Sequence, residues 1–144
     1  MPSEKITIAL ADDHALVRRG LSQMLQSNNF NVIAEASNGS ELLKLIKENL
    51  PMVVLLDINM PVMDGISTMH QIQNMNLPVK VLALSMMDDD GSVIRMIKAG
   101  AKGYVLKDSE PEELIQAIRI IADNGFYYSE RIAGRISSLQ FNSD

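Results

Sequence analysis

Polar and charged side chains follow four apolar segments of this chain, and their types suit the transfer of a phosphoryl group. Each segment has the length and composition of a buried β-strand. The residues concerned are Asp12 and Asp13 after residues 6–11, Asp57 after 52–56, Ser85 after 79–84 and Lys107 after 103–106. Because the carboxyl ends of parallel strands meet at one edge of an open α/β sheet, these side chains are expected to share one pocket.

Three carboxylates in one pocket require a cation to balance their charge. Two carboxylates about 4 Å apart repel each other by roughly 4 kcal/mol at an effective dielectric constant near 20. The chain has no cysteine, so a metal ion would be held by oxygen or histidine ligands. Mg²⁺, or Mn²⁺ in its place, suits carboxylate oxygens and commonly lies where a phosphoryl group is handled. We therefore predict a Mg²⁺ site among the acidic residues.

Asp57 is the residue whose position best fits a nucleophile, since it lies centrally among these groups and its carboxylate is expected to reach solvent. Between a metal ion and Lys107, the carboxylate is placed to attack phosphorus and become an aspartyl phosphate. Mg²⁺ and the Lys107 ammonium would neutralise the oxygens of the transferring group. The Ser85 hydroxyl would donate a hydrogen bond to one of them.

Each of these residues taken alone has a simpler explanation. Asp12 and Asp13 precede a predicted helix and would serve as its cap. Lys107 would be a solvated surface charge, and Ser85 an ordinary strand-end hydroxyl. Asp57 is harder to explain in this way, because a carboxylate directly after five apolar residues is costly to bury without a partner. The coincidence of all these residues at strand ends favours a shared site.

The elements that must position these residues follow from the hydrophobic pattern. Five stretches with apolar residues at helical spacing follow the strand segments, so strand and helix alternate. Right-handed crossovers that cover both faces give an α/β fold with a doubly wound, five-stranded parallel sheet, as in flavodoxin-like proteins. Asn31 and Glu35 interrupt the apolar pattern of the second strand, residues 30–36, which therefore belongs at an edge. That position suits the strand order 2-1-3-4-5.

Length and local signals set the boundaries. With 144 residues and 47% hydrophobic content, the chain has room for one well-filled core, which we place at residues 1–124. Asp64 is expected to begin the third helix and Asp88 to Asp90 to cap the fourth. In the remaining segment, 125–144, residues 129–139 predict one more helix, and the segment looks like the start of a linker.

Charge and hydropathy argue against two kinds of partner. The net charge of −5 and the pI near 5.0 oppose wide contact of this chain with nucleic acid phosphates. No segment approaches the roughly 18 consecutive apolar residues of a membrane helix, and the N-terminus lacks a signal-peptide pattern. A soluble, cytoplasmic protein without a membrane partner is expected. His14 and His70 are interpreted as surface helix residues rather than metal ligands.

Four motifs make the chain similar to the response-regulator receiver domain over roughly residues 5 to 124. They are Asp12-Asp13, residues 56–65 (LDINMPVMDG), Leu84-Ser85 and residues 99–107 (AGAKGYVLK). Residues 12–21 (DDHALVRRGL) and 99–104 resemble in particular the LuxR-type (NarL/FixJ) transcription regulators.

The resemblance implies a two-component response regulator that is phosphorylated by a sensor histidine kinase and is not itself an enzyme. The residues implied are Asp57 as phosphoacceptor; Asp13, Asp57 and the backbone carbonyl of Asn59 as Mg²⁺ ligands; Asp12 acting on the metal through water; Ser85 and Lys107 in contact with the phosphoryl group; and Tyr104 as the switch aromatic. In this subfamily a helix-turn-helix domain normally follows, so DNA is expected as a partner only through a domain outside this chain. A stand-alone receiver that acts through protein contacts is the alternative, and homodimerisation stays open.

Two positions depart from the pattern of the family. Most receivers have proline after the lysine, commonly with a cis peptide bond, whereas Asp108 stands here. The residue after Ser85 is usually small, whereas here it is Met86, which is expected to narrow access to the phosphorylation site. The geometry after Lys107 and the rate of phosphotransfer are therefore left open.

Three other functions compete with the receiver. A haloacid-dehalogenase-type phosphatase also uses a strand-end aspartate, Mg²⁺ and a lysine, but it normally needs an aspartate where Asn59 stands. A flavodoxin-like electron carrier shares the strand order, but its first loop cradles phosphate and is not acidic. A receiver that has become a phosphate-independent interaction module would not require every acidic, hydroxyl and lysine position to be filled, as they are here.

Overall fold

Apart from the second strand, the sheet is built from strands that are buried on both faces, as the uninterrupted apolar runs predict. The computed structural model describes residues 5–86, 90–128 and 134. The elements are β1 (Thr7–Ala11), α1 (Ala15–Ser27), β2 (Asn31–Ala36), α2 (Gly39–Glu48), β3 (Val53–Asp57), α3 (Gly65–Asn74), β4 (Lys80–Ser85), α4 (Asp90–Lys98), β5 (Gly103–Leu106) and α5 (Pro111–Ala122). The helix predicted over residues 129–139 lies outside the described residues but for residue 134, as do Asp88 and Asp89.

All neighbouring strands run parallel, in the order β2-β1-β3-β4-β5. The predicted fold class and strand order are confirmed. β2 lies at one edge and is the least buried strand, which agrees with its polar residues Asn31 and Glu35. The crevice between β1 and β3, where the direction of winding reverses, places the end of β1 next to Asp57.

Two cores cover the two faces of the sheet, because successive strand residues point in opposite directions. On β3, Val54 and Leu56 pack in the core on the side of α2, α3 and α4. Val53 and Leu55 pack in the core on the side of α1 and α5. Burying a side chain of this size contributes about 1.5–3 kcal/mol. The strands are therefore fixed from both sides, and residues at their carboxyl ends are held on a rigid edge.

Local signals fix the ends of the helices beside the site. The Asp64 side chain accepts a hydrogen bond from the Ser67 N–H at 2.8 Å and caps α3, as predicted. After α4 the backbone of Gly100 has a φ of +117°, a region that favours glycine, and the helix ends there. In the loop between β3 and α3, the β-branched residue Val62 has a φ of +67°, which strains the backbone.

The described residues after α5 continue to pack against the sheet. Tyr127 forms a parallel bridge with Gly103 at the free edge of β5. The Tyr127 carbonyl accepts from the Tyr104 N–H at 3.1 Å, and the Tyr127 N–H donates to the Lys102 carbonyl at 3.0 Å. Contacts of the domain thus reach Tyr128, whose side chain packs against the core on the α4 side. Within the described part of the chain, no helix is long and apolar enough to cross a membrane.

Candidate functional site

Asp12 and Asp57 stand side by side at the carboxyl edge of the sheet. Asp57 is the last residue of β3, and Asp12 directly follows β1, the strand paired with β3. The expectation that the Asp57 carboxylate reaches solvent is wrong, because the residue is only 2% exposed and Asp12 is fully buried. The Lys107 side chain, 3% exposed, is buried with them. Asp13 is the accessible member of the group, with a side chain that is 30% exposed.

Lys107 joins the two buried carboxylates. Its Nζ atom donates a hydrogen bond to Oδ2 of Asp57 at 2.9 Å, and it lies 2.9 Å from Oδ2 of Asp12. The Lys107 N–H donates to the Ser85 carbonyl at 2.8 Å, which fixes the start of the loop after β5. No peptide bond in the described residues is cis, so the bond from Lys107 to Asp108 is trans.

The pKa directions reflect the burial of Asp57 and the pairing of Lys107 with two carboxylates. Burial raises the pKa of Asp57 above its ordinary value, although the Lys107 ammonium and the Asn59 N–H favour the charged carboxylate. Burial would lower the pKa of Lys107, but its hydrogen bonds and charge interactions with Asp57 and Asp12 outweigh burial and raise it. One ammonium therefore does not fully balance the acidic residues, and a further cation would be favourable.

The acidic end of the site has the ligand chemistry of a divalent cation site. Asp12, Asp13, His14 and Asp57 each offer a ligand atom, and these atoms lie within 4.8 Å of one another. Oδ1 of Asp13 is buried yet accepts no hydrogen bond from the residues that the structure describes. Burying a carboxylate oxygen without a hydrogen bond is costly, and a cation beside it would offset its desolvation. Carboxylate oxygens of this kind fit Mg²⁺.

His14 is the member of this cluster that the sequence did not suggest. Its Nδ1 atom lies 3.3 Å from Oδ1 of Asp12 and 3.3 Å from Oδ1 of Asp13, while its side chain is 60% exposed. The His14 N–H donates to Oδ1 of Asp12 at 2.9 Å. Its place directly after Asp13 was the available signal. His70, in contrast, is an exposed residue of α3, as interpreted.

The other expected site residues lie around this centre. Asn59 is exposed, and its N–H donates to Oδ1 of Asp57 at 3.1 Å. Ser85 ends β4, one residue beyond Leu84, which pairs with Asp57. Met86 follows with 61% exposure, and its effect on access stays a prediction.

Tyr104 occupies an inward position. It lies on β5 opposite Ala83, is only 7% exposed, and belongs to the core on the α4 side of the sheet. The role of switch aromatic that the resemblance implies for Tyr104 stays a prediction.

Comparisons with known proteins agree with this arrangement. The model of the response regulator receiver domain family matches residues 8–119. The transcriptional regulatory protein DegU of Brevibacillus brevis is 36% identical over 129 residues, which cover 89% of this chain and 55% of DegU. The chain thus spans about half the length of that curated relative.

Two solved structures are similar over nearly their whole length. The signal receiver domain of the response regulator NarL from Mycobacterium tuberculosis is 38% identical, with a TM-score of 0.80 over 84% of this chain and 98% of that one. A two-component response regulator of the LuxR family from Aurantimonas is 31% identical, with a TM-score of 0.85 over 95% of this chain and 99% of the other.

Proposed function

This chain belongs to the response regulator receiver family, and from that premise we propose that it accepts a phosphoryl group on Asp57 from a sensor histidine kinase. The observation that carries the proposal is the geometry at Lys107, whose Nζ atom lies 2.9 Å from Oδ2 of Asp57 and 2.9 Å from Oδ2 of Asp12. A buried ammonium beside a nucleophilic carboxylate can neutralise a phosphoryl oxygen as charge moves onto it.

Mg²⁺, with Mn²⁺ as a substitute, is the proposed cofactor. Asp13 and Asp57 are assigned as direct ligands together with the backbone carbonyl of Asn59, and Asp12 as a partner through water. The close carboxylates and the buried Oδ1 of Asp13 support this assignment. When bound, Mg²⁺ supplies the positive charge that offsets the carboxylates and the phosphoryl oxygens.

The transfer needs one nucleophile and one leaving group. A carboxylate oxygen of Asp57 bonds to phosphorus while the P–N bond of the kinase's phosphohistidine breaks, and the released imidazole nitrogen takes up a proton. Lys107 then donates to a phosphoryl oxygen, and the Ser85 hydroxyl donates to another. The domain modifies only itself and is a regulator, not an enzyme with a separate substrate. Asn59 stands where a haloacid-dehalogenase-type phosphatase needs its general acid.

We propose that the output is control of transcription through a DNA-binding domain outside residues 1–144. DegU is a transcriptional regulator by name, and this chain corresponds to about half of its length. Residues 1–124 would carry the receiver and 125–144 would lead to the output, in the cytoplasm where the kinase donates its phosphoryl group. Tyr104 lies next to the segment that leaves the domain, and its surroundings would change on phosphorylation. Homodimerisation would be one result of that change. At a net charge of −5, this chain alone is expected not to bind DNA.

The assignment of Asp57 is tested by phosphorylation with a small donor. Wild type, Asp57→Asn and Asp64→Asn are incubated with acetyl phosphate and Mg²⁺, and their intact masses are recorded. Asp64→Asn is the matched control, because it removes a carboxylate from the same loop while asparagine still caps α3. Wild type and the control should gain one phosphoryl group and Asp57→Asn none. Full labelling of Asp57→Asn would overturn the assignment.

A further inference from the structure

Arg18 is a charged residue of α1 whose side chain contacts the backbone of the acidic site. The Arg18 N–H donates to the His14 carbonyl at 2.9 Å, which places the residue in the first turn of the helix. Its Nη1 atom donates to the Asp12 carbonyl at 2.7 Å. The side chain is only 19% exposed, whereas the neighbouring Arg19 is exposed. At this length the contact is a strong, charge-assisted hydrogen bond.

The carbonyl that Arg18 holds belongs to the peptide bond between Asp12 and Asp13. Because the six atoms of a peptide unit are coplanar, fixing this carbonyl also fixes the orientation of the Asp13 N–H and the direction in which the chain enters Asp13. The other groups of Asp12 are held separately, since its N–H donates to the Ala36 carbonyl at 3.0 Å and its Oδ1 accepts from the His14 N–H. Arg18 therefore fixes the plane of the peptide bond that joins Asp12 to Asp13.

Glu35 holds the guanidinium from the other side. Nε of Arg18 lies 3.7 Å from Oε1 of Glu35, which projects from the edge strand β2. Oε2 of Glu35 accepts from the buried Ser22 hydroxyl at 3.1 Å, and Ser22 in turn accepts from Gln26 at 3.0 Å. Both oxygens of this carboxylate thus have partners on α1. This arrangement directs the guanidinium group of Arg18 toward the loop after β1 and places a negative charge beside that group.

We infer that Arg18 is a positioning residue for the divalent cation site, with Glu35 as the residue that orients it. The inference rests on the proposed function, which makes Asp13 a metal ligand. The positive charge of Arg18 by itself would repel a cation, so charge and geometry act in opposite directions. If geometry dominates, removing Arg18 weakens Mg²⁺ binding; if the residue only adds charge, removal strengthens it. The sign of the change therefore separates the two roles.

The test compares Arg18→Gln with Arg19→Gln, which removes the same charge from an exposed neighbour. Mg²⁺ affinity is measured by calorimetry without phosphodonor, and the amide shifts of Asp13 and His14 are recorded by NMR without metal. Arg18→Gln should weaken Mg²⁺ binding about tenfold, as partners that orient metal ligands commonly do, and should shift both amides. Arg19→Gln should match wild type in both. Arg18→Lys, which keeps the charge but not the planar guanidinium group, should recover little of the Mg²⁺ affinity.

Glu35→Gln keeps the inference testable if Arg18→Gln does not fold. Because losing a carboxylate would weaken cation binding by charge alone, its readout is the amide shifts of Asp13 and His14 without metal, which should move when Glu35 no longer orients Arg18; unmoved amides would overturn the inference. Where both variants fold, their effects on Mg²⁺ affinity should not add, because both act on one hydrogen-bonded unit. Unchanged or tighter Mg²⁺ binding by Arg18→Gln would overturn the inference, as would equal weakening in Arg19→Gln. The proposed function fails in a different way, namely if wild type binds Mg²⁺ but is never phosphorylated on Asp57.

Discussion

Replacing Lys107 with methionine removes the ammonium that pairs with both Asp12 and Asp57 while keeping a side chain of similar length. Both carboxylates are at most 2% exposed and the Lys107 side chain is 3% exposed, so the variant leaves two buried acids without their shared ammonium. Removing one partner from a buried ion pair typically costs about 3–5 kcal/mol. Asp57 already has a raised pKa and can take up a proton, so about 3 kcal/mol is expected near neutral pH without metal.

Mg²⁺ should restore much of this loss, because it replaces the missing positive charge. A ligand at a hundredfold excess over its dissociation constant stabilises the folded state by about 2.7 kcal/mol. With the competing ammonium gone, the variant should bind Mg²⁺ at least as tightly as wild type and gain at least that much. Once phosphorylated, however, it should lack the conformational response of wild type, since Lys107 no longer contacts the phosphoryl group.

Urea unfolding with and without Mg²⁺, followed by circular dichroism, measures the stability that the variant loses and the stability that Mg²⁺ restores. Lys44→Met, at an exposed position of α2, is the matched control and should change stability by less than about 0.5 kcal/mol. This role of Lys107 is refuted if Lys107→Met without metal is as stable as Lys44→Met. It is refuted equally if Mg²⁺ stabilises Lys107→Met less than it stabilises wild type.

Three further predictions concern pH and the backbone around the site. The pKa of Asp57 is raised in the folded state, so its contribution to stability is present below the unfolded-state pKa and is lost as pH rises through the folded-state pKa. In metal-free buffer, the stability of wild type relative to Asp57→Asn should therefore fall from about pH 4 upward. A stability difference that does not change with pH would contradict this. Gly103→Ala places a Cβ atom against the Tyr127 carbonyl oxygen, so hydrogen exchange at Tyr104 and Tyr127 should become faster. Unchanged protection would show that the bridge does not depend on this close approach. Val62→Gly removes a β-branched side chain from a backbone φ of +67° and should raise the free energy of unfolding in urea by about 1 kcal/mol. A loss of stability would mean that the exposed valine makes contacts that outweigh the strain.

The strand order and the meeting of Asp12, Asp57 and Lys107 at one edge of the sheet were predictable because each rests on a local pattern. An apolar run such as residues 52–56 has few alternatives to a buried strand, and the residue after it must lie at the edge of the sheet. The strands in fact extend one residue further, so Asp57 and Ser85 end their strands instead of following them. The burial of Asp57 was missed because Lys107, which pairs with it, is 50 residues away in sequence.

Other features depend on spatial relations that a single sequence does not display. Arg18 and Arg19 are identical in type and adjacent, yet only Arg18 reaches the Asp12 carbonyl, because the helix turns its neighbour toward solvent. The positive φ of Val62 opposes the ordinary preference of a β-branched residue, so local propensity would predict a different backbone. The bridge from Tyr127 to β5 likewise needs the free edge of the sheet to be known first.

We assign the phosphoryl group to Asp57, and reductive trapping locates the modified residue. After incubation with acetyl phosphate and Mg²⁺, borohydride reduces an acyl phosphate to an alcohol, which leaves homoserine at the modified position and can be located by peptide mass spectrometry. We expect homoserine at position 57 alone, and only when Mg²⁺ was present. Homoserine at Asp12, Asp13 or another acid, with residue 57 still aspartate, would contradict it.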